Sequence, residues 1–372
     1  MAEFLTPYQM SKVLSGVIPA NRTARPNFLQ TWFGRVEYRE TETVNFDKEF
    51  QSKNTVAMYV APSVDAPIVK LQGYGTQELR FAYVKEGLVS PGWEEINSRQ
   101  LGQQFGQVDV MANWIANIRK KLAQTEFNFE NLFELNAANI LVYGTHTASS
   151  ALHPTVVYDF GRTVVTTSAA FDTGYVPAVD LTTLDKGGVG ARAWSVAGGE
   201  PYLDLITACN TVNRRSSVEA VIMSSNAWAK LEADITANYA TAADTTIAVL
   251  NRVQLKVTPV VEAYQDLNFR RSLAIGNGTF VDIYTYEAIY HNRDTGAETK
   301  YIPDGYMLVL PSKQAGIKVY GRIMHPDAGY SALPRYINTW KDQKSGIQES
   351  EIHMNYLMGH TDIDSVVSWK VM

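Results

Sequence analysis

Two Asp-Thr-Gly triplets, Asp172-Thr173-Gly174 and Asp294-Thr295-Gly296, are the residues of this sequence best placed to do chemistry. A two-lobed aspartic protease uses two such triplets. Its paired carboxylates share one proton and activate a water molecule. The surroundings of Asp172 and Asp294 argue against that use. The second triplet sits between two polar ribbon segments, where Asp-x-Gly is good turn chemistry. A protease loop should leave a strongly apolar strand, yet His291-Asn292-Arg293 precedes this one.

The other reactive side chains do not cluster. The six histidines form neither HxH nor HExxH. His360 with Asp362 and Asp364 has the chemistry of a metal site, but the spacing reads as a polar turn between two strands. The glycine run Gly187-Gly188-Val189-Gly190 neither follows a clear strand nor opens a helix, so it is not a nucleotide-binding fingerprint. Cys209 is the only cysteine, which excludes an intramolecular disulfide and a CxxC pair. It falls on an apolar helix face and reads as a small core residue. No nucleophile-elbow pattern occurs. The sequence therefore makes no case for catalysis, and it calls for no cofactor and no metal.

The elements that would position any site are organised around one stretch, 108–140. Its apolar residues recur at helical spacing: Met111, Trp114/Ile115, Ile118, Leu122, Phe129, Leu132/Phe133. No Pro or Gly interrupts it, so it predicts a helix up to roughly 45 Å long. Its charges are segregated. Arg119, Lys120 and Lys121 come first, then Glu126, Glu130 and Glu134 at four-residue spacing. That row reads either as a solvated acidic face or as an ion-pairing stripe for another subunit.

Before the helix the chain reads as arm and ribbon. Residues 1–40 contain Pro7, Pro19 and Pro26 and little periodicity, apart from a short helix near 7–14. Phe28, Leu29, Trp32 and Phe33 need somewhere to dock, either on the chain's own body or on a neighbour. Residues 41–60 alternate as a strand. A two-stranded ribbon is expected next, with its tip at Gly73-Tyr74-Gly75 and arms at 68–72 and 77–84. Such a ribbon is marginal alone in water and must lie on something.

After the helix the pattern is mixed α+β. ILVYG (140–144) and residues 153–171 read as strands. EPYLDLITACNTVNRR reads as a helix with Leu203, Ile206 and Cys209 inward. VEAVIMSS reads as a buried strand and SNAWAKLEADI as a second helix capped by Ser225 or Asn226. Further strands are expected at 280–291, 306–312, 316–323 and in two C-terminal segments, with a tight turn at Asn277-Gly278.

Composition sets bounds on these readings. The chain has 372 residues, 45% hydrophobic and 19% charged, with a formal charge of −5. That is enough for two domains with sizeable cores, and it carries no global basic footprint for nucleic acid. No apolar run approaches the ~18 residues of a membrane span. No signal-peptide pattern opens the chain. The expectation is a soluble protein made in a reducing cytoplasm.

The order of segments resembles the major capsid protein E family of tailed bacteriophages. The residues that carry the resemblance are TETVNFDKEF (41–50), the segment from Met58 to Glu86, KYIPDGYMLVLPSKQAGIKVYGRI (300–323), PRYINTW (334–340) and the terminal SVVSWKVM. Glu86-Gly87 is a departure, because lambda-like members tend to carry Pro-Lys there. The resemblance implies an α+β, Hong Kong 97-type capsid fold. It implies an N-terminal arm (1–40) and an extended loop (41–95). A peripheral domain with its spine helix would take 96–190 and 336–362, and an axial domain 191–335 and 363–372.

The implied function is structural: a self-assembling subunit of an icosahedral head around double-stranded DNA, located in the virion after assembly in the host cytoplasm. An encapsulin-like nanocompartment shell is the runner-up. The implied partners are other copies of the chain in hexamers and pentamers, a portal, a separate scaffold protein, a decoration protein and non-specifically held DNA, with no membrane. Lys70, Tyr74, Arg80 and Lys85 on the ribbon, and Glu126, Glu130 and Glu134 on the helix, are the expected inter-subunit contacts.

Overall fold

The computed structural model describes residues 28–49, 74–89, 110–150, 152–173, 175–184, 192–196, 199–239, 266–275, 280–293, 295–312, 315–341 and 348–372. The expected helix near 7–14, Lys70, the Gly187–Gly190 run and the Asn277-Gly278 turn lie outside them.

The long helical period is one helix, Val110–Tyr143, 34 residues and about 50 Å long. Leu122, Phe129 and Phe133 are buried on the face the spacing marks. The helix runs on through 140–143, where a strand was expected. Ala137, Ala138, Ile140 and Leu141 are fully buried there, and tertiary packing outweighs the strand preference of Ile and Val. Gly144, at φ +72°, ends the helix in the left-handed region, and its N–H donates to Ile140 O at 2.9 Å. The Arg162 guanidinium donates to the last carbonyls, Val142 O at 2.7 Å and Ile140 O at 3.4 Å. A cation there suits the negative end of the helix dipole.

Two sheets flank this helix. One has seven strands in the order 267–274, 280–286, 218–223, 306–311, 367–370, 178–180, 164–165. Residues 220–223 and 306–310 of its central strands form unbroken apolar runs because both faces are covered there. Val221, Met223, Met307 and Val309 face Leu205, Cys209, Val212 and Leu231 of the helices Pro201–Asn213 and Ser225–Asp234. Ile222, Leu308 and Leu310 alternate to the other face and join the core around the long helix.

The other sheet has five strands and is built on Gln348–His360. The C-terminal part of this long strand pairs with 316–320, which pairs in turn with 35–38. Its N-terminal part lies between 336–341 and 82–89. Three two-stranded ribbons complete the fold: 43–49 with 74–80, 145–150 with 153–159, and 289–291 with 298–300.

Several details differ from the sequence reading. The inward face of Pro201–Asn213 is Tyr202, Leu205, Cys209 and Val212, and Leu203 is exposed. The cap of the next helix is Ser224, whose Oγ accepts from Ala227 N and Gly305 N. Strand 316–320 joins the five-stranded sheet, and 164–165 and 178–180 join the seven-stranded one. Apolar periodicity marks such strands but not their partners. The ribbon also has a different register. Tyr74–Arg80 pairs with Thr43–Glu49, so Tyr74 and Gly75 lie within a paired strand and not at its tip; Gly73 and the expected arm at 68–72 are outside the described residues. Val44 lies opposite Leu79, and both are buried, so this register puts the apolar side chains on one covered face.

Candidate assembly surfaces

The acidic row of the long helix fastens the fold together. Glu134 is fully buried. Its carboxylate accepts the backbone N–H of Leu29 at 2.9 Å and of Gln30 at 3.0 Å, and the Tyr286 hydroxyl at 2.6 Å. Burial pushes its pKa up, against the pull of those donors. Glu130 accepts from Gln30 Nε2 at 2.9 Å and from Arg335 at 3.4 Å. The Arg335 guanidinium also pairs with Glu126 and lies over the Phe129 ring, 5.5 Å from its centroid.

One face of the helix thus holds the arm, the seven-stranded sheet through Tyr286, and the segment leading into strand 336–341. Glu126 and Glu134 are buried, and all three carboxylates have partners within the chain. The burial of Glu126 and Glu134 corrects the expectation of a solvated face. The donors come from about 100 to 200 residues away in the sequence, where helical spacing cannot show them.

The described part of the arm, from Phe28 to Phe33, docks on its own body. Leu29 and Phe33 are fully buried and Trp32 nearly so, with the Trp32 Nε1 donating to Pro311 O at 3.1 Å. Lys318 Nζ donates to Gln30 Oε1 at 3.0 Å from the five-stranded sheet. Gly316 lies under the arm, where a Cβ would fall 2.5 Å from Trp32 O.

The ribbon leaves from an equally fixed root. Phe46 packs edge-on against Phe160, with ring centroids 6.2 Å apart, and lies over Gly359, where any Cβ would collide with its ring. In the next strand the Tyr83 hydroxyl hydrogen-bonds His353 Nδ1 at 2.9 Å. The Glu86 carboxylate accepts from Asn128 of the helix at 2.7 Å and Arg293 of a hairpin at 2.6 Å. Of the Glu86-Gly87 departure, Glu86 therefore ties its strand to the helix and to the hairpin.

Arg80 and Lys85 are both exposed and line one concave site of about 380 Å³ beside Glu40, Glu42, Phe81 and Met324. Tyr74 is placed opposite Glu49 on the ribbon. The structure thus brings Arg80 and Lys85 together at the root of the ribbon, and keeps the three glutamates apart from them on the helix.

The residues that raised the prospect of catalysis have other surroundings. Asp172 lies in the last turn of the short helix Ser168–Thr173. The second triplet belongs to a hairpin turn, where Gly296, at φ +67°, donates its N–H to Asn292 O at 2.7 Å; Asp294 is outside the described residues. Asp362 pairs with Arg215, and Asp364 accepts from Thr163 N at 2.8 Å. Among the described residues no His, Cys, Asp and Glu group has the arrangement of a metal site. Asp204 is a buried acid that the sequence reading missed. It accepts from Arg192 at 3.1 Å and Trp194 Nε1 at 3.0 Å, and burial pushes its carboxyl up to about 6. Its position in the first turn of a helix was the available signal.

Among the described residues His146, His353 and His360 are buried with lowered pKa values, and the subunit is expected to be acid-sensitive. Burial holds His146 down to about 4 and His360 down to about 3, from an ordinary 6.5. Below pH 6.5 the unfolded chain takes up protons that the folded rings refuse. Their contribution to stability is therefore full above that pH and is lost as pH falls, by about 1.4 kcal/mol per unit per histidine. Urea midpoints at pH 7 and pH 5 should differ less in His360→Phe than in the wild type. Equal differences would show that His360 titrates normally.

The comparisons with known proteins agree with this architecture. The sequence profile of the family described as Phage major capsid protein E matches residues 11–371. The major capsid protein of Enterobacteria phage P21 is 26% identical over 321 residues, 85% of each chain. That of Enterobacteria phage phi80 is 24% identical over 364 residues, 91% of this chain and 93% of that one. The crystal structure of a prophage capsid protein from Escherichia coli CFT073 shares the fold, with a TM-score of 0.62 at 14% identity, over 97% of this chain and 99% of that one. Among the described residues no helix is long and apolar enough to cross a membrane. The chain belongs to the phage major capsid protein E family: it is a structural protein of the phage head, carried in the virion, and not an enzyme.

Proposed function

We propose that the subunit builds its shell through a rigid body and a projecting ribbon. The observation that carries this reading is the fixed root of the ribbon. Val44, Phe46 and Leu79 are buried at its base, with Phe46 against Phe160 and Gly359, and the hydrogen-bonded pair runs on to Glu49 and Tyr74. A two-stranded ribbon gains little stability alone, and a neighbouring subunit is the surface that stabilises it. Weak contacts of this kind become strong through their number in a closed shell.

In this reading the five-stranded sheet and the long helix form the peripheral domain, and the seven-stranded sheet with its two helices forms the axial domain around the capsomer axes. Arg80 and Lys85, at the ribbon root, and Lys70 and Tyr74 contact neighbouring copies in hexamers and pentamers. A portal, a separate scaffold protein and a decoration protein complete the head, and DNA is held non-specifically. The nanocompartment reading is weaker, because the family that matches is a phage capsid family.

Replacing residues 50–73 with Asn-Gly tests the ribbon. The variant should melt within a few degrees of the wild-type subunit and lose particle yield by about tenfold or more in sedimentation. Particles at wild-type yield would show that the ribbon is dispensable.

A further inference from the structure

A second ribbon follows the long helix, and the account so far gives it no role. Thr145–Ser150 and His153–Asp159 form a two-stranded sheet of their own. Its inner face is anchored. His146 and Tyr158 are buried and stacked with ring centroids 5.5 Å apart, and Ala148 and Val156 pack on the main core. Its outer face has no such cover. Thr147 lies opposite Val157, both are exposed, and Val157 retains 59% of its surface. Ser149 and Thr155 continue that face, hydrogen-bonded to each other at 3.0 Å, and Leu152 at the tip is 98% exposed.

The strand edges are also open. Among the described residues neither outer edge pairs with another strand. Natural edge strands are guarded by charge, proline, a bulge or a cover. Here the bulge between Ala148 and Ser150 and Pro154 guard only the tip. From Thr145 to Tyr158 the sequence contains no Asp, Glu, Lys or Arg, and the one charge of the hairpin is Asp159, opposite Thr145 at its base.

We propose that this hairpin is an inter-subunit contact, which adds a free strand edge and the uncharged outer face above Asp159 to a second copy of this chain. The occupant follows from three observations. The chain belongs to a capsid family, so a subunit in the shell is flanked by copies of itself. Each copy carries a net charge of −5, and a ribbon charged only at its base is a surface where like-charged copies approach with little repulsion. A strand edge is also self-complementary, so two copies can supply both sides of one ladder. The hairpin is continuous with the ribbon root, because Phe160, directly after it, is the ring that Phe46 packs against. The inference rests on the shell reading and names one of its contacts.

The test uses the full chain. Thr147→Lys and Val157→Lys place a charge on each strand at exposed positions. The double variant should keep its melting temperature and lose particle yield by about tenfold or more. Wild-type yield from that variant overturns the hairpin proposal. If the wild type itself forms no particles, the shell reading fails instead.

Val157→Cys gives a second measurement that does not depend on the lysine variants folding. Cys209 is buried and its thiol is pushed up to about 12, so it stays silent. Because Thr147 and Val157 are cross-strand neighbours within one chain, the two cysteines are placed on separate chains: oxidising shells co-assembled from the single variants Val157→Cys and Thr147→Cys should give chain dimers on a non-reducing gel. Monomers alone would overturn the proposal, and would place the hairpin against its own subunit or a different protein.

Discussion

Replacing Glu134 with alanine is expected to destabilise the folded subunit by about 3–5 kcal/mol, the range for breaking a buried charged hydrogen-bond set. The loss is large because three donors are orphaned together. The amides of Leu29 and Gln30 and the Tyr286 hydroxyl all point at this one carboxylate from inside the protein, and a buried donor without an acceptor costs roughly 1–3 kcal/mol.

Glu134→Gln should fall between the variant and the wild type. Its amide oxygen can still accept, but its NH2 group must face one of the donors. Urea midpoints give the order, and protease cleavage near Phe28–Phe33 reports whether the arm has been freed. If Glu134→Ala unfolds at the wild-type midpoint, the carboxylate does not hold the arm.

The pH dependence provides a separate check. Burial raises the carboxyl's pKa in the folded state. The stability linked to that shift is therefore present below the unfolded carboxylate's pKa and is lost as pH rises through the folded value. Glu134→Gln should remove this part of the pH profile and leave the histidine-linked loss at acid pH unchanged.

Replacing Trp369 with alanine is expected to cost a further large amount, about 3–5 kcal/mol. Trp369 is fully buried three residues before the last residue of the sequence. Its ring packs on Phe171, with centroids 5.1 Å apart, and its Nε1 donates to Val176 O at 3.0 Å. Its strand joins 306–311 to 178–180 across the seven-stranded sheet. The cavity would thus open where three distant parts of the chain meet. Trp369→Phe should recover much of the packing and leave only the Val176 carbonyl unpaired. Calorimetry that finds no loss for the alanine variant would contradict the buried position of this strand.

The two substitutions also show what the sequence reveals. The strand around Trp369 and the helix around Glu134 are both legible, one from a short apolar run and the other from a 3.6-residue period. The partners of these side chains are not. Glu126, Glu130 and Glu134 look like a charged outer face because spacing describes one helix, and their donors Leu29, Gln30, Tyr286 and Arg335 come from three other parts of the chain.

The ribbon shows the same limit. The alternation of Val44 and Phe46 marks a strand. Its pairing with Tyr74–Arg80 depends on which register buries Leu79 as well, and alternation alone does not decide that. Glycines such as Gly316 and Gly359 give no sign in sequence of the close approach they permit, because each makes room for residues far away in the chain. The order of arm, ribbon, long helix and α/β layer was legible, since each follows from local pattern. Their fastening was not, since it is made of long-range contacts.

The central claim is that this chain closes into a shell through its own copies. Negative-stain electron microscopy of the expressed protein, alone and together with the products of its neighbouring genes, tests it most directly. The account predicts closed particles of uniform diameter built from hexamers and pentamers. A compact monomer under every one of those conditions would contradict it.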